Sequence, residues 1–366
     1  MMRLPRKNDD LKDFARKFLS TFGTGELFTL PQTGPVWVSI SADGNRLVYL
    51  VRDSGRITVV NSDTTSNSFD KVDSRLQPAL SVLPSEVRRG ARCVAISPNG
   101  CLVAVGFNEP REGKRVVVWD LEKRSAIQRN HEKNSILDVR FSSDNERVYY
   151  STSGPSGHVV WSWSVLMKES TSPPREIVDT LDGMEFYGPD GVITGLSVSQ
   201  DSKRLVATSE DDKVYMWDVE SPKTVISGDY RARAVTFPTD HCFYTGGDDG
   251  TILRWTWSDG TFSTEELTKR NASINALAGA DERLACGLDD ALGTVEIFDV
   301  SANPIKPVGE KMHHHSAIYS LSYAEKERRC IAAGTRYRGG VTLWDEEGPG
   351  GGRLLDHVSN EDYFFK

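Results

Sequence analysis

Val192–Asp218 reads VITGLSVSQDSKRLVATSEDDKVYMWD. Apolar residues alternate with small or polar ones over Ile193–Val198 and again over Arg204–Ser209, and a third run closes at Val214–Trp217. Period-2 alternation of this kind predicts three short strands, with the Ser- and Asp-rich reversals between them as turns. The β-branched content suits a pleated surface covered on both sides by neighbouring sheets. One such sheet cannot bury both faces alone, so the chain has to supply copies of it.

It supplies about seven. Related stretches are Trp37–Val60 (WVSISADGNRLVYLVRDSGRITVV), Cys93–Asp120, Ile136–Trp163, Ala234–Trp255, Ile274–Asp299 and Ile318–Asp345. Their closing residues fall at Val60, Trp119, Trp163, Trp217, Trp255, Phe298 and Trp344, and Asp follows at Asp120, Asp218, Asp299 and Asp345. In the third copy either Trp161 or Trp163 could close. A period of ~45 residues with strand patterning and a terminal Trp-Asp is the pattern of propeller blades. The chain resembles the WD-repeat family over nearly its whole length, and that resemblance implies an all-β, seven-bladed β-propeller. The family's Gly-His dipeptide occurs at Gly157-His158, beside a closing strand instead of at a blade's start.

The organisation expected is an N-terminal extension over residues 1–24, the propeller over 25–347, and a Gly-rich linker and tail over 348–366. Within the extension, Leu11, Phe14, Ala15, Phe18 and Leu19 share one face, which predicts a short amphipathic helix over 9–19 that shields the ring or docks a partner. Residues 25–31, GELFTLP, are expected to form the outer strand of the last blade, with Leu354 and Leu355 as competitors for that place. The inserts 61–92 and 167–191 are long and polar, which marks functional or disordered excursions. The five cysteines, Cys93, Cys101, Cys242, Cys286 and Cys330, are odd in number and lack Cys-x-x-Cys spacing, so core thiols in a reducing, intracellular compartment are expected, cytoplasmic or nuclear. No apolar leader and no run long enough for a membrane span is evident.

No catalytic constellation, cofactor motif or metal-ligand spacing stands out, so neither an enzyme nor a cofactor is expected. His313–His315 are adjacent residues that point different ways, which suits a structural or solvated cluster better than a metal site. The acidic pairs Asp211-Asp212, Asp248-Asp249 and Asp289-Asp290 recur before the third strand of three successive copies, and recurrence at one repeat position argues for turn chemistry.

Surface charge is more informative, despite a net charge of −8. In WD-repeat propellers the loops entering each blade and the turns joining second to third strands share one face. The resemblance therefore gathers Arg88, Arg89, Arg92, Arg111, Lys114, Arg115, Arg336 and Arg338 on the side of the second and seventh copies, opposite Glu210 and the acidic pairs. Simple solvation accounts for scattered charges, whereas a dipolar face would orient a partner. The leading expectation is a non-catalytic scaffold for protein–protein interaction in a multiprotein complex, holding a peptide or charged loop on this upper face. The alternative is recognition of a phosphate-bearing ligand, a phosphoinositide or RNA, by the same basic arc. Arg88-Arg89-Gly90 resembles the Phe-Arg-Arg-Gly element of phosphoinositide-binding propellers, with Val87 in place of Phe. The Arg that follows Trp-Asp by two residues in WD-repeat receptors of cullin ligases is missing here, where Leu121-Glu122, Val219-Glu220 and Glu346-Glu347 follow.

Overall fold

A computed structural model describes residues 35–52, 55–63, 68–70, 90–109, 113–123, 125–131, 134–165, 183–222, 225–302, 304–314, 316–324, 326, 329–336, 340–345 and 353–356. They form seven four-stranded antiparallel sheets, each built from strands consecutive in the chain. The inner strands, which start each blade, are Val36–Ile40, Ala91–Ile96, Ser135–Phe141, Ile193–Val198, Ala232–Thr236, Ile274–Ala280 and Ile318–Ala324. Blades are numbered from 1 to 7 in that order.

Seven apolar clusters hold the sheets together, one between each neighbouring pair. In blade 4, Leu205 and Ala207 pack toward blade 3 while Val206 packs toward blade 5, so period-2 alternation feeds two cores from one strand. The seventh cluster joins Val36, Val38 and Tyr49 of blade 1 to Ala324, Cys330 and Leu343 of blade 7, which closes the ring. Hydrogen bonds reinforce this closure. Ser320 Oγ accepts from Val38 N at 3.0 Å and donates to Val36 O at 2.8 Å, and Ser322 Oγ accepts from Ile40 N at 3.0 Å.

The closing residues occupy one register position throughout. The second residue of each second strand, or its neighbour at the strand's start, faces the closing residue: Leu47 opposite Val60, Val103 opposite Trp119, Val148 opposite Trp163, Leu205 opposite Trp217, and so on to Ile331 opposite Trp344. Trp163, not Trp161, therefore closes the third blade. Trp119, Trp163, Trp217, Trp255, Phe298 and Trp344 are all buried. The following aspartates cap the next turn. Asp120 accepts from Glu122 N and Lys123 N, Asp218 from Glu220 N, and Asp299 from Ser301 N. Asp345 ends the third strand of blade 7.

One expectation is corrected. The outer strand of blade 7 is Arg353–Asp356, with Leu354 opposite Trp344, and not residues 25–31. The sheet is completed by the next segment of the same chain, a connection shorter than one that spans the whole ring. The strand therefore draws on residues assigned to the tail, while residues 25–31 and the helix expected over 9–19 lie outside the described residues.

On the lower face, the turns between first and second strands repeat a Ser-x-Asp/Asn device. Ser41, Ser97, Ser142 and Ser199 each accept from the backbone N five residues on and bond the acid or amide two residues on. Left-handed backbone at Gly44, Gly100, Asn145 and Ser202 completes each turn. These turns bond to one another from blade to blade: Lys326 N to Ala42 O, Ala42 N to Pro98 O, Asn99 N to Asn145 Oδ1, and Asp201 N to Asp240 Oδ1. The lower turns thus satisfy one another. The opposite face holds a cavity.

Candidate functional site

Six of the seven inner strands carry a β-bulge at one position, at Arg92, Leu137, Thr194, Arg233, Asn275 and Tyr319. A bulge leaves its extra residue out of the ladder and re-aims its side chain. Here all six bulged residues line a cavity of about 810 Å³ on the ring axis, and Trp37 holds the corresponding place in unbulged blade 1. A second set of lining residues, Arg52, Glu210, Asp248 and Arg336, directly follows the second strands. The cavity therefore opens on the upper face, where chain entries and the turns between second and third strands meet.

Among the described residues, six arginines and three carboxylates line it, an excess of positive charge on a chain of net charge −8. Most of these charges are paired. Arg233 and Arg231 both meet Asp248, the latter at 3.3 Å, Arg336 lies 3.3 Å from Asp289, and Arg140 lies 3.2 Å from Asp138. Burial pushes the Asp138 carboxyl above its usual range, against the pull of Arg140 and of the Val139 amide. Arg52 and Arg92 have no carboxylate partner among the described residues; Arg52 donates to Tyr319 Oη at 3.3 Å. Tyr319 packs edge-to-face on Trp37 with ring centroids 5.5 Å apart, and Trp37 Nε1 is buried with no hydrogen-bond partner among the described residues.

Of the expected basic residues, Arg92 and Arg336 both line the cavity. Arg88, Arg89, Arg111 and Arg338 lie outside the described residues, and Lys114 and Arg115 are on the third strand of blade 2, Gly113–Asp120. Arg52, Arg140, Arg231 and Arg233 were not singled out by their sequence. Arg233 stands at the same repeat position as Arg92, and Arg52 at that of Arg336, so aligning the copies was the available signal.

The acidic pairs build turns. Asp211 accepts from Asp190 N at 2.8 Å and Tyr215 Oη at 2.7 Å, Asp249 from Thr251 N at 3.0 Å, and Asp290 from Thr294 N at 2.9 Å. At Asp211 burial would raise the carboxyl pKa, but the bonds from Tyr215, Asp190 N, Ser209 and Gly191 N hold it below the ordinary value. His314 is buried edge-on against Trp344 and shares a 2.9 Å hydrogen bond with Thr342, while His313 reaches Thr294 at 3.2 Å. The four buried cysteines lie within the blades, and none of the five forms a disulfide. Among the described residues, no helix is long and apolar enough to cross a membrane.

The model of the WD domain, G-beta repeat, matches residues 182–218, the outer strand of blade 3 and the first three strands of blade 4. Seven sheets of one register, closed into a ring, extend that repeat around the molecule. The chain is similar to WD-repeat proteins in this repeat and in its seven-bladed fold. WD-repeat propellers generally mediate protein–protein interactions and are typically non-catalytic scaffolds. Among curated relatives, Echinoderm microtubule-associated protein-like 4 of Mus musculus is 23% identical over 244 residues, which is 66% of this chain and 22% of the relative. LEC14B homolog of Prunus armeniaca is 26% identical over 169 residues, 43% of this chain and 34% of the relative. The chain thus spans 22% and 34% of the lengths of these relatives.

Proposed function

We propose that this propeller is an interaction scaffold within a multiprotein complex, and that its upper face is the working surface. The observation that carries this reading is the axial cavity, to which all seven blades contribute and in which, among the described residues, arginines outnumber carboxylates two to one. Loops and bulges held by a rigid ring are suited to present side chains without moving them. Around the mouth, Arg88, Arg89, Arg92, Arg111, Lys114, Arg115, Arg336 and Arg338 form the proposed basic arc, so the partner presents negative charge to blades 7, 1 and 2. That a relative is named for association with microtubules is compatible with a structural partner and does not select one.

Affinity purification of the full chain, compared with a variant carrying Arg88, Arg89, Arg111 and Arg115 all changed to Glu, tests the reading. Partners lost from the variant, and lost from the original protein as salt rises, are the expected result. The same partners at the same salt sensitivity from both proteins would overturn it.

A further inference from the structure

The cavity mouth has two electrostatic poles. Near one, Arg52 and Arg92 offer donors with no carboxylate partner among the described residues, and guanidinium nitrogens cannot accept. A pocket of donors beside an edge-to-face Trp37–Tyr319 pair suits an oxyanion attached to an apolar stem. Across the ring, blade 4 supplies Glu210, an exposed carboxylate with no basic partner among the described residues. The other arginines of the mouth each meet a carboxylate: Arg140 meets Asp138, Arg231 and Arg233 share Asp248, and Arg336 meets Asp289 just outside the lining. At about 810 Å³ the cavity lies within the ~300–1,000 Å³ range of sites that enclose a ligand.

We infer that the mouth receives a polypeptide segment of mixed charge, laying an Asp or Glu side chain on Arg52 and Arg92 and a Lys or Arg side chain on Glu210. This rests on the scaffold reading and names its partner's chemistry. A purely anionic ligand, such as a phosphorylated lipid headgroup or an RNA backbone, satisfies the first pole and is repelled by the second. A peptide carrying both signs satisfies both, and its backbone spans the gap.

Selection of a random peptide library on the full chain, followed by titration of the enriched peptides, decides the matter. Enriched peptides carry an acid and a base at a fixed separation. Arg52→Glu with Arg92→Glu weakens them by ~30-fold or more, and the same double variant recovers binding when the peptide's acid is replaced by Lys, which also shows that the variant is folded. Glu210→Arg discriminates against the peptide's base and not against its acid. Enrichment without a charge pattern, no enrichment, or affinity indifferent to Arg52 and Arg92 overturns the inference. So does capture of phosphoinositide-containing vesicles that the double variant abolishes, which assigns the donors to phosphate. Partners that are recovered from cells and lost in the Arg88/Arg89/Arg111/Arg115 variant, alongside a failed peptide selection, sink this inference alone and leave the scaffold standing.

Discussion

At the scale of single residues, the acids of the upper half divide into two kinds by what surrounds them. Asp211 is held by donors that stabilise its charge, so its contribution to stability is present at neutral pH and fades as pH falls through its lowered pKa. Asp138 is the reverse. It sits on an inner strand at 5% exposure, and burial outweighs the Arg140 contact, so its folded pKa lies above the ordinary carboxylate value. A carboxyl raised in this way binds protons more tightly when folded, and its ionisation opposes folding once pH passes the unfolded value. Asp138→Asn is therefore expected to raise the Tm at pH 7, with the gain shrinking as pH falls toward the ordinary carboxylate value and vanishing below about pH 3, where Asp138 is protonated in both states. Thermal unfolding across that range checks it; a lowered Tm at pH 7 would show that the Arg140 contact dominates. Asp211→Ala runs the other way. It strands the Asp190 amide and the Tyr215 hydroxyl, with an expected loss of about 1–2 kcal/mol in denaturant titration at pH 7.

At the scale of the element, the blade is set by what its second strand can fit against the next inner strand. A Cβ on Gly246 would stand 2.4 Å from Ile274 Cγ2, and one on Gly287 equally close to Ile318 Cγ2, so the first residue of the following blade occupies the missing side chain's space. Gly246→Val is expected to cost about 3 kcal/mol or more through overpacking, measured as a lowered denaturation midpoint with unchanged slope. These contacts also show what could be read beforehand. Strand alternation, turn acids and the closing Trp119, Trp217 and Trp344 are written into residue types, because pleat and turn demand those types at those places. The bulges are not. A bulge is a relation of register between two strands, and Arg92, Leu137, Thr194, Arg233, Asn275 and Tyr319 share no chemistry that announces it. The ring that faces the cavity therefore became visible only with the pairing. The outer strand of blade 7 was missed for a related reason: Leu354 and Leu355 offer too short a pattern to outrank residues 25–31.

At the scale of the molecule, closure is what turns seven marginal sheets into one body, since each blade buries its faces only on its neighbours. Blades 1 to 7 follow the chain in order, and no strand crosses from one end of the chain to the other end's sheet among the described residues. Among the described residues, the junction of blades 7 and 1 is thus held by side-chain packing, by Ser320 and Ser322, by the Lys326 N–Ala42 O bond and by Arg52 on Tyr319, without a shared strand. Opening this junction breaks fewer backbone bonds than pulling a strand out of a sheet, so it is the expected site of first opening. Ser320→Ala strands the buried Val38 amide and Val36 carbonyl, a loss of about 1–3 kcal/mol. Native-state hydrogen exchange should then quicken at the amides of Val36–Ile40 and Ile318–Ala324 well before those of Ile193–Val198, on the far side of the ring, respond. Uniform acceleration around all seven blades would instead mean that the ring opens only by unfolding as a whole. Because Trp37 and Tyr319 stand at this same junction, their rings 5.5 Å apart across it, a ligand held between Arg52 and Arg92 would clasp the seam. Binding at the mouth should then slow exchange on both sides of the closure, in proportion to occupancy.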